Sequence, residues 1–174
     1  MRGYRKRPGT QGFSVPLVGA SLFFIISLFL FVSYKNSAYQ QAKKEIYSLY
    51  TANRAFDLDE VYQDGLTAIY AKEYGKTATE AGCEALEQTG LPYVLLLSQF
   101  SAPVERVYVT NCQLSETGRE KKARTYDYTV SVRFCLEKGD EVLAPEKTMD
   151  FHGTVVMKKK GWFCWLLDGV TLGE

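Results

Sequence analysis

The stretch TYDYTVSVRFCLE, residues 125–137, alternates between apolar and polar side chains almost throughout. The apolar positions are Tyr126, Tyr128, Val130, Val132, Phe134 and Leu136. The polar positions between them include Asp127, Thr129, Ser131, Arg133 and Glu137. Successive side chains of a β-strand point to opposite faces of the sheet. The stretch therefore predicts a strand of an antiparallel sheet that has one packed face and one solvated face.

Three further segments are predicted to be strands of the same sheet. Ser115–Gly118 is rich in turn-forming residues and is expected to end the first strand, and Lys159–Gly161 is expected to join the last two. Short connections of this kind indicate an antiparallel meander. The four predicted strands cover about residues 105–114, 124–137, 147–158 and 162–172.

Helices are predicted in the part of the chain that precedes the strands. Apolar residues recur there at spacings of three and four, and Asp57–Glu60 and Thr77–Glu80 both read as helix-start signals. The predicted helices cover about residues 36–56, 58–73 and 78–88. Because the apolar face of the sheet needs a cover, the sequence predicts an α+β domain in which about three helices pack on a curved antiparallel sheet.

An uncharged apolar segment, Phe13–Tyr34, lies ahead of this domain. As a helix, its 22 residues match the hydrocarbon thickness of a bilayer, which is about 30 Å. A cleaved signal peptide usually has a shorter apolar stretch of about 7–15 residues, so a retained transmembrane helix at 13–34 is favoured over a cleaved signal. Residues 1–12 are then a tail and 35–174 the folded domain. The predicted anchor residues include Phe13, Leu22, Phe24, Ile26, Leu28 and Phe31.

Basic residues before the apolar segment predict its orientation. Lys and Arg near a membrane segment favour the cytoplasmic side, so the chain is expected to be a cell-membrane protein with a cytoplasmic N-terminus and an extracytoplasmic domain. The basic residues are Arg2, Arg5, Lys6 and Arg7.

Four cysteines fall in the part that is predicted to be extracytoplasmic: Cys83, Cys112, Cys135 and Cys164. An oxidising compartment would allow two disulfides among them, with three pairings open. Free thiols are the alternative, because the spacings show no metal-binding motif.

Composition argues against several classes of function. From Lys35 onward there are 17 basic and 20 acidic residues, a formal charge of −3, so a nucleic-acid partner is not expected. His152 is the only histidine, and neither a phosphate loop nor a nucleophile elbow is present. We therefore expect no catalytic, cofactor-binding or metal-binding residues, and hence no enzyme.

Basic and aromatic residues meet near the C-terminus of the chain. Lys158–Lys160 are typical of a solvated hairpin tip, although they would also suit anionic lipid headgroups or cell-wall polymers. Trp162, Phe163 and Trp165 span both faces of the last strand. The aromatic side chains on one face are predicted to lie in the core, and those on the other face to be covered by a partner, a helix or the membrane.

Two stretches carry a resemblance to a known superfamily, IYSLYTANRAFDLDEVYQDGL (46–66) and KKKGWFCWLL (158–167). With the order of elements, they resemble the nuclear transport factor two-like, cystatin-like cone domains, over about residues 38–172. The single membrane helix makes the chain similar to scaffold subunits of type IV secretion and conjugation systems. The resemblance implies a non-enzymatic domain that docks other membrane or envelope subunits. Membrane lipid around the anchor and a second copy of the chain, in a homo-oligomer, are the further partners expected.

Two alternatives stay open at this point. The basic leader followed by Gly12 and Phe13 resembles a type IV pilin precursor that is cut after Gly12, although Leu17 stands where pilins carry a Glu. A small-ligand-binding cone would place Tyr126, Tyr128 and Phe134 around a cavity, whereas a filled core is expected more often.

Overall fold

The computed structural model describes residues 15–51, 65–91, 104–136, 146–162 and 164–173. The chain divides into two compact units, residues 1–35 and 36–174. It has four described helices and one four-stranded antiparallel sheet, which confirms the predicted α+β class.

The first unit contains helix α1, Val15–Lys35. The predicted anchor residues that the structure describes are exposed on α1, between 49 and 69%: Leu22, Phe24, Ile26, Leu28 and Phe31. Among the described residues, no single helix meets the length and hydropathy required of a membrane span, and Gly19–Lys35 does so only together with Ala38–Thr51. The transmembrane helix therefore stays a prediction. Phe13 and the four basic residues near the N-terminus lie outside the described residues.

The second unit begins with a turn at Asn36 and Ser37, and helix α2, Ala38–Thr51, follows. The Ser37 hydroxyl accepts a hydrogen bond from the Gln40 amide at 3.3 Å, which is the arrangement of a helix N-cap. The buried stripe of α2 includes Ala42, Ile46, Leu49 and Tyr50, each at most 1% exposed. The predicted continuation to residue 56 and the helix-start signal Asp57–Glu60 lie outside the described residues.

Helix α3, Leu66–Tyr74, and helix α4, Glu80–Thr89, follow. Gly65, at φ 78°, stands just before α3 and outside it. The Thr79 hydroxyl accepts from the Gly82 amide at 3.1 Å and caps α4. Of the predicted segment 58–73, residues 58–64 lie outside the described part.

The four strands follow one another in the sheet in chain order, as a meander. Their bounds are β1 Val104–Arg119, β2 Ala123–Leu136, β3 Glu146–Lys159 and β4 Trp165–Leu172. The sheet buries one face under the helices: α2 packs against all four strands, and α4 packs against β4.

The prediction of a turn at Ser115–Gly118 was wrong. β1 runs through this segment, with Ser115 paired to Asp127, and the turn lies at Glu120–Lys122. A bulge between Glu116 and Gly118 shifts the register there, so the pairing continues through residues whose composition is typical of a turn. The turn between β3 and β4 is also longer than the predicted Lys159–Gly161. The Lys160 and Gly161 amides both donate to the carbonyl of Cys164, so the turn includes that residue.

A second bulge in β1, between Val109 and Asn111, changes which side chains reach the core. Val107 and Val109 pack against the core on one side of the bulge, and Cys112 and Leu114 do so on the other. Without the extra residue, the second pair would lie on the solvated face.

The segment between α3 and α4 joins the outer edge of β4. The Thr79 amide donates to the Leu167 carbonyl at 2.8 Å, and the Leu167 amide donates to the Thr77 carbonyl at 2.9 Å. Ala78 and Leu167 thus form a parallel bridge. Gly82 lies so close that a Cβ there would collide with the Leu167 carbonyl, and the first turn of α4 is held directly against the strand.

Candidate interaction surface at the hairpin end

Two turns lie side by side at one end of the sheet. Ala123 pairs with Lys158, and the Lys159 amide donates to the Lys122 carbonyl at 2.7 Å. We call the residues Glu120–Lys122 and Lys158–Trp162 the hairpin end. It carries five exposed lysines: Lys121, Lys122, Lys158, Lys159 and Lys160.

Trp162 and Trp165 have different surroundings at this end. Trp162 is 86% exposed. Trp165 is half-buried against the core, and the Arg124 guanidinium and the Lys159 ammonium lie 5.6 and 5.8 Å from its ring centroid. These distances are typical of cation–π contacts, so Trp165 stabilises the base of the hairpin end while Trp162 projects from it. Phe163 lies outside the described residues.

Two cavities flank the chain at Lys159 and Lys160, which line both. A cavity of about 450 Å³ is lined by Gly75, Ala78, Thr79, Glu80, Lys158, Lys159, Lys160 and Leu166. A cavity of about 320 Å³ is lined by Lys121, Lys122, Lys159, Lys160, Gly161 and Trp162. Ammonium groups are point-charge donors that bind phosphate and carboxylate groups, so these cavities are suited to anionic ligands.

Part of the basic charge is neutralised by neighbouring carboxylates. Lys158 lies 3.4 Å from Asp168, which also accepts a hydrogen bond from the Thr79 hydroxyl at 2.6 Å. Arg119 pairs with Glu116 at 2.6 Å and, through its hydrogen bond, holds the pKa of that carboxyl below its usual value. In contrast, four lysines of the hairpin end form no ion pair with any described residue: Lys121, Lys122, Lys159 and Lys160.

The second unit begins near the same end of the sheet. The Tyr39 ring, in the first turn of α2, contacts the Tyr126 ring edge-on with a centroid distance of 6.0 Å. Tyr126 is three residues from the start of β2. The last turn of α2 lies farther along the sheet, where Tyr50 contacts Phe151 at 5.3 Å. The chain therefore enters this unit at the hairpin-end side.

The sheet face opposite the helices forms a second surface. No described helix packs on this face, and β1 has no described partner strand along its outer edge. Tyr108 is 46% exposed there and lies directly opposite Arg133, which is 3.7 Å from Glu146. The exposed side chains of this face include Tyr108, Asp127, Thr129, Arg133, Asp150 and His152.

The aromatic side chains that a ligand-binding cone would use fill the core instead. Tyr126, Tyr128 and Phe134 are each at most 2% exposed, and Tyr50 packs edge-on against Tyr128. His152 is exposed on the opposite face. Within the described residues, no group of three or more His, Cys, Asp or Glu side chains could hold a metal ion.

The four cysteines are free thiols in the structure. Cys83 and Cys112 are buried, Cys135 is half-buried and Cys164 is exposed. Cys112 pairs with Val130, five residues from Cys135 along β2, which separates the two Cα atoms by about 17 Å. A disulfide needs Cα atoms within about 7 Å, so the register excludes a bond between Cys112 and Cys135. The other pairings stay predictions.

Glu45 is a buried carboxyl that the sequence analysis did not identify. It is 9% exposed, and burial raises its pKa, against the opposing effects of Lys44 and of a hydrogen bond with Thr77. Its position was available from the helical period: it follows Ala42 by three and precedes Leu49 by four, on the buried stripe.

Comparison of the chain with protein-family models, curated proteins and solved structures gives no match. The function is therefore inferred from the residues of this chain.

Proposed function

We propose that the chain is a non-enzymatic single-pass membrane protein whose extracytoplasmic domain docks other subunits of a secretion- or conjugation-type envelope assembly. Helix α1 is the anchor in this proposal, and the uncovered face of the sheet is the docking surface. The anchor confines the domain to the membrane plane, so weak contacts with other membrane subunits gain from a raised effective concentration.

The observation that carries the proposal is the pairing of Tyr108 with Arg133 on the uncovered face. Tyrosine and arginine are the residue types that, with tryptophan, dominate the binding energy of protein interfaces. Their neighbours on this face are polar and of both charges, like the rim around the core of an interface between separately folded proteins. The docking surface is thus assigned to the outer sides of β1 and β2.

The start of α2 favours this proposal over a pilin-like subunit. A pilin helix runs as one rod from its apolar half into its domain. Here α1 ends at Lys35, and a turn at Asn36 and Ser37 precedes α2. The Ser37 cap stabilises a new helix start at this point.

Site-specific photocrosslinking in cells tests the proposal. A photoreactive residue at Tyr108 of the full chain is expected to capture an envelope subunit. The matched control at Glu84, exposed on α4, is expected to capture none. Tyr108→Ala with Arg133→Ala is expected to reduce co-purification of the captured subunit without releasing the chain from the membrane fraction.

Two outcomes would contradict the proposal. Recovery of the domain from the culture medium, cleaved upstream of Tyr39, would remove the anchor. A mature chain that begins at Phe13, measured by intact-protein mass spectrometry, would establish the pilin-like alternative.

A further inference from the structure

We propose that the hairpin end binds the anionic lipid headgroups of the membrane in which α1 is anchored. The contact is made by Lys121, Lys122 and Lys160, with Trp162 entering the headgroup layer. The inference rests on the proposed membrane anchor and adds a second membrane contact to it.

The side chains at this end match the chemistry of a lipid surface. Lys121, Lys122 and Lys160 line a cavity of about 320 Å³ and form no ion pair with a described residue, so their ammonium groups are available to phosphate oxygens. Trp162 lines the same cavity and is 86% exposed. Tryptophan is enriched at membrane–water interfaces, because its ring is apolar and its indole N–H can hydrogen-bond.

This surface lies at the end of the second unit where the chain enters it. Only Asn36 and Ser37 separate Lys35 from the start of α2. Fully extended, the chain from Lys35 to Ala38 spans at most about 11 Å. The first turn of α2 contacts Tyr126, three residues into β2 from the turn that carries Lys121 and Lys122. The lysines and the entry point of the chain thus share one end of the domain.

Charge distribution favours a lipid surface over a long soluble polyanion. The chain from Lys35 onward has a formal charge of −3, whereas four lysines without an ion pair to a described residue lie together at the hairpin end: Lys121, Lys122, Lys159 and Lys160. A nucleic acid is bound along an extended track of basic residues, whereas a planar membrane requires charge at only one end of the domain.

The intrinsic fluorescence of Trp162 provides the test. The chain has two tryptophans, so Trp165→Phe leaves Trp162 as the single reporter. The full chain with this change is placed in nanodiscs of phosphatidylcholine alone or of phosphatidylcholine mixed with phosphatidylglycerol. We expect acrylamide to quench Trp162 less in the anionic discs, and we expect high salt to remove the difference.

Charge-removing variants assign the effect to the lysines. Each lysine close to an anionic surface strengthens binding by about fivefold, so Lys121→Gln with Lys122→Gln and Lys160→Gln should weaken the contact by roughly a hundredfold. Quenching in anionic discs should then equal that in neutral discs. The matched control removes three positive charges elsewhere, with Lys72→Gln, Arg106→Gln and Lys147→Gln, and should keep the protection. Circular dichroism confirms that both variants are folded.

Equal quenching in both types of disc would overturn the inference, as would loss of protection in the control variant. Protection of Trp162 in neutral discs by added inorganic polyphosphate or duplex DNA, to the same extent as by anionic lipid, would overturn the choice of lipid. A chain that enters neither type of disc would instead contradict the proposed anchor. Failure of the lipid contact alone would leave crosslinking at Tyr108 unchanged.

Discussion

The hydroxyl oxygen of Tyr50 lies 3.1 Å from that of Tyr128, 78 residues later in the chain. Tyr128 in turn donates its hydroxyl proton to the Thr171 carbonyl at 3.1 Å. A phenol has one proton to donate, so Tyr50 is the donor to Tyr128. This relay joins α2 to β2 and β4 through the core, and burial, followed by the proximity of Tyr128, raises the pKa of Tyr50.

We predict that Tyr128→Phe destabilises the protein more than Tyr50→Phe does. Loss of the Tyr128 hydroxyl leaves both the Tyr50 proton and the Thr171 carbonyl without this partner, whereas loss of the Tyr50 hydroxyl leaves the bond to Thr171 intact. Loss of the partner costs about 1–3 kcal/mol for a buried group such as the Tyr50 hydroxyl, and the part-buried Thr171 carbonyl adds a smaller cost. Urea denaturation of the two variants measures the difference. Equal midpoints would show that the relay does not run in this direction.

We predict that Gly82→Ala weakens the attachment of α4 to β4. The added methyl would collide with the Leu167 carbonyl, and neither backbone can move without breaking the bridge at Ala78. Overpacking of this kind costs about 1–3 kcal/mol, which thermal denaturation would detect. Gly169→Ala is the matched control, because its Cβ would meet Val156 side-chain atoms at an ordinary 3.7 Å. Equal melting temperatures for the two variants would contradict the prediction.

We predict that Glu45→Gln stabilises the protein at alkaline pH. Burial raises the pKa of Glu45 in the folded state, so that state holds its proton more tightly than the unfolded state. The contribution of Glu45 to stability is therefore full below its unfolded pKa and falls as pH rises through the folded pKa. Gln keeps an acceptor for Thr77 without the charge.

The test is denaturation at an acidic pH, where the Glu45 carboxyl is protonated, and at an alkaline pH, where it is ionised. At the higher pH the free energy of unfolding of the variant should exceed that of the native chain by on the order of 1 kcal/mol, and at the lower pH the two should differ little. Glu84→Gln, on the exposed side of α4, is the control and should show no such difference. A gain of the same size at both pH values would contradict the assignment to ionisation of Glu45.

We predict that a maleimide reagent labels Cys164 first in the native protein and Cys135 more slowly. Cys164 is exposed, whereas burial raises the pKa of Cys83 and of Cys112 and lowers their thiolate fraction. Mass spectrometry of the labelled peptides gives the order. A Cys164 that reacts only after reduction would demonstrate a disulfide in the isolated protein.

The alternation in 125–137 was enough to predict β2. One face of the sheet is buried and the other is solvated, so apolar and polar residues alternate along the strand. β2 begins at Ala123, one residue from the predicted start. The bulges could not be predicted, since an extra residue in β1 or at Asp168 in β4 is defined only by the strand that it faces. The missed bulge near Glu116 is also why the first turn was placed too early.

The candidate surface was predictable only in part. Lys158–Lys160 and the tryptophans were identified from the sequence, but Lys121 and Lys122 were not, because the turn that carries them was misplaced. Their proximity to Lys159 depends on pairing between β2 and β3, which no local pattern encodes. The position of Tyr39 next to Tyr126 is likewise a long-range contact between a helix and a strand.

The bridge between Ala78 and Leu167 has a consequence for self-association. An open sheet with two free edges can add copies head to tail without limit, which leads to fibres. The bridge pairs the backbone of Leu167 at the outer edge of β4, so another strand cannot pair along the whole of that edge. Among the described strands only β1 keeps a continuous outer edge, so pairing between copies would join β1 to β1 about a two-fold axis and close after two chains.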